Sequence, residues 1–422
     1  MSAFDRIIGY EDVKAELMRF CDVLKNYERY EKLGVSMPRG ILLSGDPGVG
    51  KTMMANCFIE ESGCKCFLVR KDMPKGDFVK EIRNTFNKAK EETSVIVFLD
   101  DMDKFANEDR NHLDAEEYVT VQSCIDDCRN TRVFVLATVN DIGCLPDSLT
   151  RVGRFDKSIE MVCPKGADAA KIIGYYLKQK CTLGNIDVDE ISRLMEGHSC
   201  AELEIVINEA GIYAGFDKRE KIEQEDIVRA CMRMIFDAPE KLDSYSAKHI
   251  RSIAIHEAGH AVVSEVLEPG SVSLVSVCSY SAAKEGVTIV HRSDEIEFSM
   301  RANEHVVMRK LGGKAATEMV LGLVDVGCSM DLWNAHEIVS EFVRDCCSCG
   351  FEALSCEGLT CSDFVREKTD RLVAAELEKF YLEAKRIIAE NRQFLDKMIS
   401  ELVEKKTLTY RDIEAIRTNM HK

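Results

Sequence analysis

The sequence predicts two folds in succession: a parallel α/β domain closed by a small helical lid, and then a mostly α-helical domain. Three observations carry this. Short apolar runs at 41–43, 95–99 and 133–137 alternate with helical stretches, and each run ends in glycine-rich or polar residues. From 164 to 237 no strand-like run appears, and apolar residues recur at helical spacing in Leu203, Val206, Ile207 and Ala210. After 246 the pattern is again helix-rich, with one extended stretch at 272–290 and charged amphipathic helices from Ser362 onward.

Each element has a physical reason. Strands buried on both faces read as continuous apolar runs, and strands alternating with helices build parallel sheets. In such sheets ligands bind beyond the carboxyl ends of the strands, and all three runs deliver their polar residues there. Residues 1–163 are therefore expected as a large α/β subdomain, 164–237 as a helical lid, 238–246 as a polar linker and 247–422 as a second domain. A chain of 422 residues suits two or three such cores.

Composition removes several function classes. Hydrophobic residues make up 45% and charged residues 31%, a globular balance. A formal net charge of -17 repels nucleic acid and anionic lipid, so neither is expected as a partner. The 18 cysteines sit in a long chain without a signal peptide, so reduced thiols in a cytoplasmic protein are expected. Cys346, Cys347, Cys349, Cys356 and Cys361 do not repeat a C-x-x-C pair and are read as free thiols. No apolar run reaches the length of a membrane span.

Gly45, Asp46, Pro47, Gly48, Val49, Gly50, Lys51 and Thr52 satisfy G-x-x-x-x-G-K-[ST], after a strand and at the start of a helix. The glycines let backbone N–H groups turn toward phosphate oxygens. Lys51 is then the residue for the β- and γ-phosphates of ATP and Thr52 a ligand of Mg²⁺. Asp100 stands where a Mg²⁺-directed carboxylate belongs, Asp101 follows it, and Asn140 is positioned to orient the attacking water.

His256, Glu257, Ala258, Gly259 and His260 form H-E-x-x-H in an apolar helical context. Residues four apart share a helix face, so both imidazoles can bind one Zn²⁺, with Glu257 as the base beside it. Zinc needs a third protein ligand, which the motif does not name; Asp331 is equally an ordinary helix cap, and His291, His305 and His336 are rivals.

Several segments together resemble the FtsH-type AAA+ zinc metalloproteases. They are Phe4 to Gly9, the phosphate loop, Phe98 to Asp103, Leu149 to Asp156, Gly197 to Leu203, Leu311 to Glu318, Gly327 to Leu332 and Ala384 to Arg392. The resemblance runs from about Phe4 to about Ile416. It implies an AAA+ P-loop domain followed by a zincin-type peptidase, with Zn²⁺, ATP and Mg²⁺ as cofactors. It implies Asp331 as third zinc ligand; Glu318, within the matching segment, either orients a ligand or lies solvated on its helix. It also implies Arg151 and Arg154 as arginine fingers reaching the neighbour's nucleotide in a homo-oligomeric, hexameric ring. The expected function is ATP-dependent, processive proteolysis of unfolded proteins.

This sequence departs from the family in three places. Asp101 stands where the family has glutamate, one methylene longer. The pore-loop Phe-Val-Gly falls on Pro74, Lys75 and Gly76, leaving Met73 or Phe78 as substitutes. The family carries transmembrane helices before the AAA+ module, and this sequence starts almost at that module; membrane association is expected only where such an anchor precedes it. The first two departures support alternatives: a AAA+ remodeller, a nucleotide-gated peptidase with a weak motor, or an ATP-independent peptidase carrying an inert nucleotide domain.

Overall fold

The computed structural model describes residues 2–72, 74–107, 115–129, 131–150, 153–180, 182–237, 245–278, 285–291, 299–323, 326–351 and 362–420. The chain divides into two compact units: Met1–Val188 with Met195–Ile227, and Asp189–Leu194 with Val228–Lys422. Residues 238–244 of the expected linker lie outside the described residues, and Ser246 caps the helix that follows.

In the first unit the elements run α1 (Glu11–Lys25), α2 (Tyr27–Glu31), β1 (Gly40–Ser44), α3 (Lys51–Ser62), β2 (Lys65–Val69), α4 (Lys75–Lys90), β3 (Val95–Leu99), α5 (Ala115–Asp127), β4 (Val133–Val139), α6 (Asp147–Thr150), β5 (Lys157–Glu160) and α7 (Gly166–Lys178). The five strands form one parallel sheet in the order β2-β3-β4-β1-β5. The three apolar runs are its central strands, buried along their whole length. The two strands that hydrophobicity did not announce are the edges: Lys-Cys-Phe-Leu-Val in β2 and Lys-Ser-Ile-Glu in β5 mix exposed and buried positions, as half-solvated strands do.

Helices cover both faces of the sheet. One face packs Phe58 against Phe134 (ring centroids 5.6 Å apart), and the other sets Phe78 edge-on to Phe105 (5.2 Å). Phe78 is only 1% exposed. It anchors α4 to the core and is not available to grip a translocating chain, which overturns its candidacy; Met73 lies outside the described residues. Pro74 occupies the N-cap position of α4, where the helix does not need its missing N–H.

Next come α8 (Val188–Leu194), α9 (Cys200–Phe216) and α10 (Gln224–Phe236). Helix α9 starts at a capping box in which Ser199 and Glu202 satisfy each other's backbone N–H groups, and it buries Leu203, Val206, Ile207 and Ala210, the apolar stripe read from the sequence.

The second unit is built on α11 (Ala247–Leu267), β6 (Val272–Ser276), β7 (Val287–Val290), α12 (Met300–Leu321), α13 (Ser329–Arg344), α14 (Asp363–Glu390), α15 (Arg392–Lys405), β8 (Thr407–Thr409) and α16 (Tyr410–Met420). The extended stretch is a β6-β7 antiparallel pair. A third strand, β8, joins from between the C-terminal helices, where three residues carry no periodic signal.

Helix α11 is buried along most of its length. It lies against α12 at two glycines: a Cβ on Gly259 would sit 2.4 Å from the Gly312 carbonyl oxygen, and one on Gly312 would sit 2.6 Å from that of Gly259. Side chains at either position would force the helices apart. Asp189–Leu194 belongs to this unit: Arg193 donates to the Gly270 carbonyl (2.9 Å) and lies over the Tyr410 ring at 4.0 Å.

Candidate metal centre and phosphate loop

The close approach of α11 and α12 sets up the candidate metal centre. His256 and His260, one turn apart on α11, aim their Nε2 atoms at each other, 3.0 Å apart. From the first turn of α13, Asp331 brings Oδ2 to 3.4 Å from His256 Nε2 and 3.2 Å from His260 Nε2. Among the described residues these three form the one group of histidine, cysteine or acidic side chains spaced to hold a metal. A tetrahedral zinc with bonds of about 2.0–2.2 Å would separate its ligands by roughly 3.3–3.6 Å. The observed edges are close to that spacing.

The donor chemistry fits a cation as well. His260 Nδ1 lies 2.7 Å from the Arg309 carbonyl, which can only accept, so Nδ1 carries the proton and Nε2 presents its lone pair. Gly313 on α12 keeps the space open: a Cβ there would lie 2.6 Å from His256 Cε1 and from His260 Nε2. Burial alone would raise the Asp331 pKa; the imidazoles of His256 and His260, with the Lys310 ammonium, outweigh it and hold the carboxyl well below its usual range. For His260 burial lowers the pKa, but Asp331 and Glu257 reverse this and leave it raised.

Glu257 is buried beside the pair. Its Oε2 accepts a hydrogen bond from the Thr288 hydroxyl (2.7 Å) on β7. Gly286 leaves it room, since a Cβ there would come within 2.7 Å of Glu257 Oε1. Neither residue was singled out in the sequence, although a glycine immediately before an apolar strand was an available signal. Glu318 holds no ligand: it binds Lys314 (3.1 Å), Lys385 (2.9 Å) and the Tyr381 hydroxyl, tying α12 to α14. Of the rival histidines, His305 pairs with Glu268 (2.9 Å), His336 lies half-exposed beside Glu337, and the His291 N–H bonds the Ser271 carbonyl.

The phosphate loop occupies the carboxyl edge of the parallel sheet, between β1 and α3. Gly45, Gly48 and Gly50 all have positive φ, which L side chains rarely adopt. Gly45 has a second constraint, as a Cβ would meet the Met161 carbonyl oxygen at 2.0 Å. Lys51 is folded onto the Gly45 and Asp46 carbonyls (2.6 and 2.8 Å). Burial lowers its pKa, opposed by Asp103, Asp101 and Asp46.

Asp100 is held on all sides: Oδ1 accepts from Thr52 (3.1 Å) and Thr138 (2.9 Å), and Oδ2 pairs with Arg70 (2.8 Å). Asp101 sits at φ 53, a left-handed conformation that aspartate tolerates better than glutamate, and its carboxylate binds Lys104 at 2.6 Å. The Asn140 side chain donates to Asp103 Oδ2 (3.1 Å). Arg154 pairs with Asp126 of its own chain (2.7 Å) and donates to the Ser148 carbonyl. Arg151 lies outside the described residues.

Comparison with known proteins agrees with both halves. Residues 41–162 match the ATPase family associated with various cellular activities (AAA), 185–229 the AAA+ lid domain and 243–416 peptidase family M41. The chain is 28% identical to the ATP-dependent zinc metalloprotease FtsH 2 of Thermoanaerobacter sp. (strain X514), over 98% of this chain and 82% of that protein. It is 31% identical to FtsH 2 of Sphaerobacter thermophilus, over 81% and 54%, and 29% identical to FtsH of Mycoplasma pneumoniae, over 98% and 62%. The chain thus spans between about half and four fifths of these relatives. Among the described residues no helix is long and apolar enough to cross a membrane.

Proposed function

Given that the chain belongs to the FtsH-type AAA+ zinc metalloproteases, we propose that it hydrolyses ATP to feed unfolded protein to its own zinc endopeptidase site. One observation carries the peptidase reading: three ligand atoms from two separate helices converge within 3.4 Å, with a buried carboxylate on the adjacent residue of the motif.

His256, His260 and Asp331 are the zinc ligands in this reading. A zinc ion held by these three residues would supply Lewis acidity toward the scissile carbonyl and bring the pKa of water near neutral. Glu257 takes the proton from the attacking water at Oε1 or Oε2 and returns it to the leaving amine. Thr288 fixes one of those oxygens and so decides which one turns to the water. At the sheet edge, Lys51 neutralises the β- and γ-phosphates, Thr52 and Asp100 serve Mg²⁺, and Asp101 orients water with Asn140 beside it.

The assembly proposed is a hexameric ring in which Arg151 and Arg154 reach the neighbour's nucleotide. Arg154 then exchanges its bond to Asp126 for one to phosphate. Native mass spectrometry with metal analysis tests ring size and zinc per subunit together. Casein degradation tests the activity: it should need ATP and fall by two to four orders of magnitude in Glu257→Gln, as roughly expected for loss of a general base. A Glu257→Gln protein that degrades casein at the wild-type rate would end the peptidase reading.

A second reading, a zinc peptidase with a weak motor, is favoured by Pro74 in the pore-loop position and by the Asp101–Lys104 pair. Casein stability to wild-type protein that still cuts short peptides would select it.

A further inference from the structure

We propose that Lys310 is a positioning residue of the metal centre, whose ammonium engages one oxygen of Asp331 so that the carboxylate meets the cation through the other oxygen alone. The inference rests on the zinc reading above. Lys310 Nζ lies 3.1 Å from Asp331 Oδ1, while Oδ2 is the oxygen that faces both imidazoles. The two oxygens of one carboxylate are thus assigned to different partners.

The neighbouring residue of α12 acts on another ligand, since the Arg309 carbonyl fixes His260 through Nδ1. Consecutive residues of one helical turn therefore set two of the three ligands, with opposite chemistry. A carbonyl acceptor makes His260 a better electron donor; an ammonium draws charge from Asp331 and makes it a weaker one. Single-atom ligation by Asp331 leaves a fourth position free for substrate or water, as a catalytic zinc site requires. A two-oxygen grip would crowd that position. The consequence is a metal held less tightly but more acidic toward substrate.

A salt bridge that merely joins α12 to α13 predicts the opposite sign for metal release. Lys310 is 40% exposed, so Lys310→Met should fold, and circular dichroism will verify this; Lys310→Gln serves if it does not. The full chain is loaded with cobalt(II), its visible spectrum recorded, and the metal then competed away with a chelator. The expected result in the methionine or glutamine variant is weaker visible bands, from a rise in coordination number, and cobalt release slowed about tenfold. Lys310→Arg should restore both. Unchanged bands, or faster release, would overturn the positioning role and leave an ordinary salt bridge. Absence of cobalt from the wild-type protein would instead overturn the zinc reading itself, and this inference with it.

Discussion

The phosphate loop and the metal centre solve the same problem, presenting charge to a ligand, with different parts of the polypeptide. The loop works mainly through backbone: eight consecutive residues, three of them glycines at positive φ, held between a buried strand and a helix start. The candidate metal centre is built from side chains contributed by α11 and α13, with α12 between them in the chain and in close contact with α11 through Gly259 and Gly312. A backbone site tolerates change in most of its side chains. A convergent side-chain site depends on the spacing of whole helices, and so on residues that carry no chemistry at all.

The sharpest way to break that contrast is Gly313→Ala. Its new Cβ would meet both imidazoles at 2.6 Å, and rings on a buried helix have little freedom to retreat. Zinc affinity should fall by about a hundredfold, measured as metal per chain under chelator competition, with ATPase turnover unaffected. Retention of full zinc would mean that the helix spacing is far softer than the glycine contacts imply.

A smaller effect is expected from Thr288→Val, which keeps the shape of β7 but removes the hydroxyl bound to Glu257. Peptide-cleavage kcat should drop about tenfold, equivalent to ~1.4 kcal/mol, with KM and zinc content held. A loss of zinc in this variant would place Thr288 in metal binding instead.

In the nucleotide unit, Asp101→Glu lengthens the acid by one methylene. ATPase turnover should rise or stay level. A steep loss would show that the left-handed backbone at this position and the Lys104 pair are matched to the shorter side chain.

The smallest effect is structural. The Tyr381 hydroxyl, Lys385 and Lys314 hold the Glu318 carboxyl down at about 2. Because the folded pKa is depressed, the stabilisation is whole at neutral pH and above the unfolded pKa of roughly 4.3, and disappears as pH falls through about 2. The melting temperature of Glu318→Gln should therefore lie a little below wild type at pH 7 and merge with it in acid. The group is partly exposed, so the gap will be modest. A gap that persists below pH 2 would mean that shape, not charge, makes the contribution.

Much of the architecture was legible in the amino-acid order. The three central strands were announced by apolar runs because they are covered on both faces; β2, β5 and β8 were silent because edge or very short strands mix polar and apolar positions. Glu318 and Phe78 show the opposite limit. Each sat beside a recognisable motif and invited a functional role, yet one fastens two helices and the other fills the core.

The order of residues alone determined the phosphate loop and the H-E-x-x-H pair, because each is complete within a short contiguous segment and its geometry follows from local dihedral angles. The H-E-x-x-H motif left its third partner open between Asp331 and three histidines, and the family resemblance pointed to Asp331. The packing of α11 and α12 at two glycines, with α13 bringing in Asp331, put this carboxylate and not one of those histidines beside the imidazoles, set Thr288 on Glu257 and set Lys310 on Asp331. Those contacts join residues 21 to 75 positions apart, a separation over which chain order imposes no distance and close packing must.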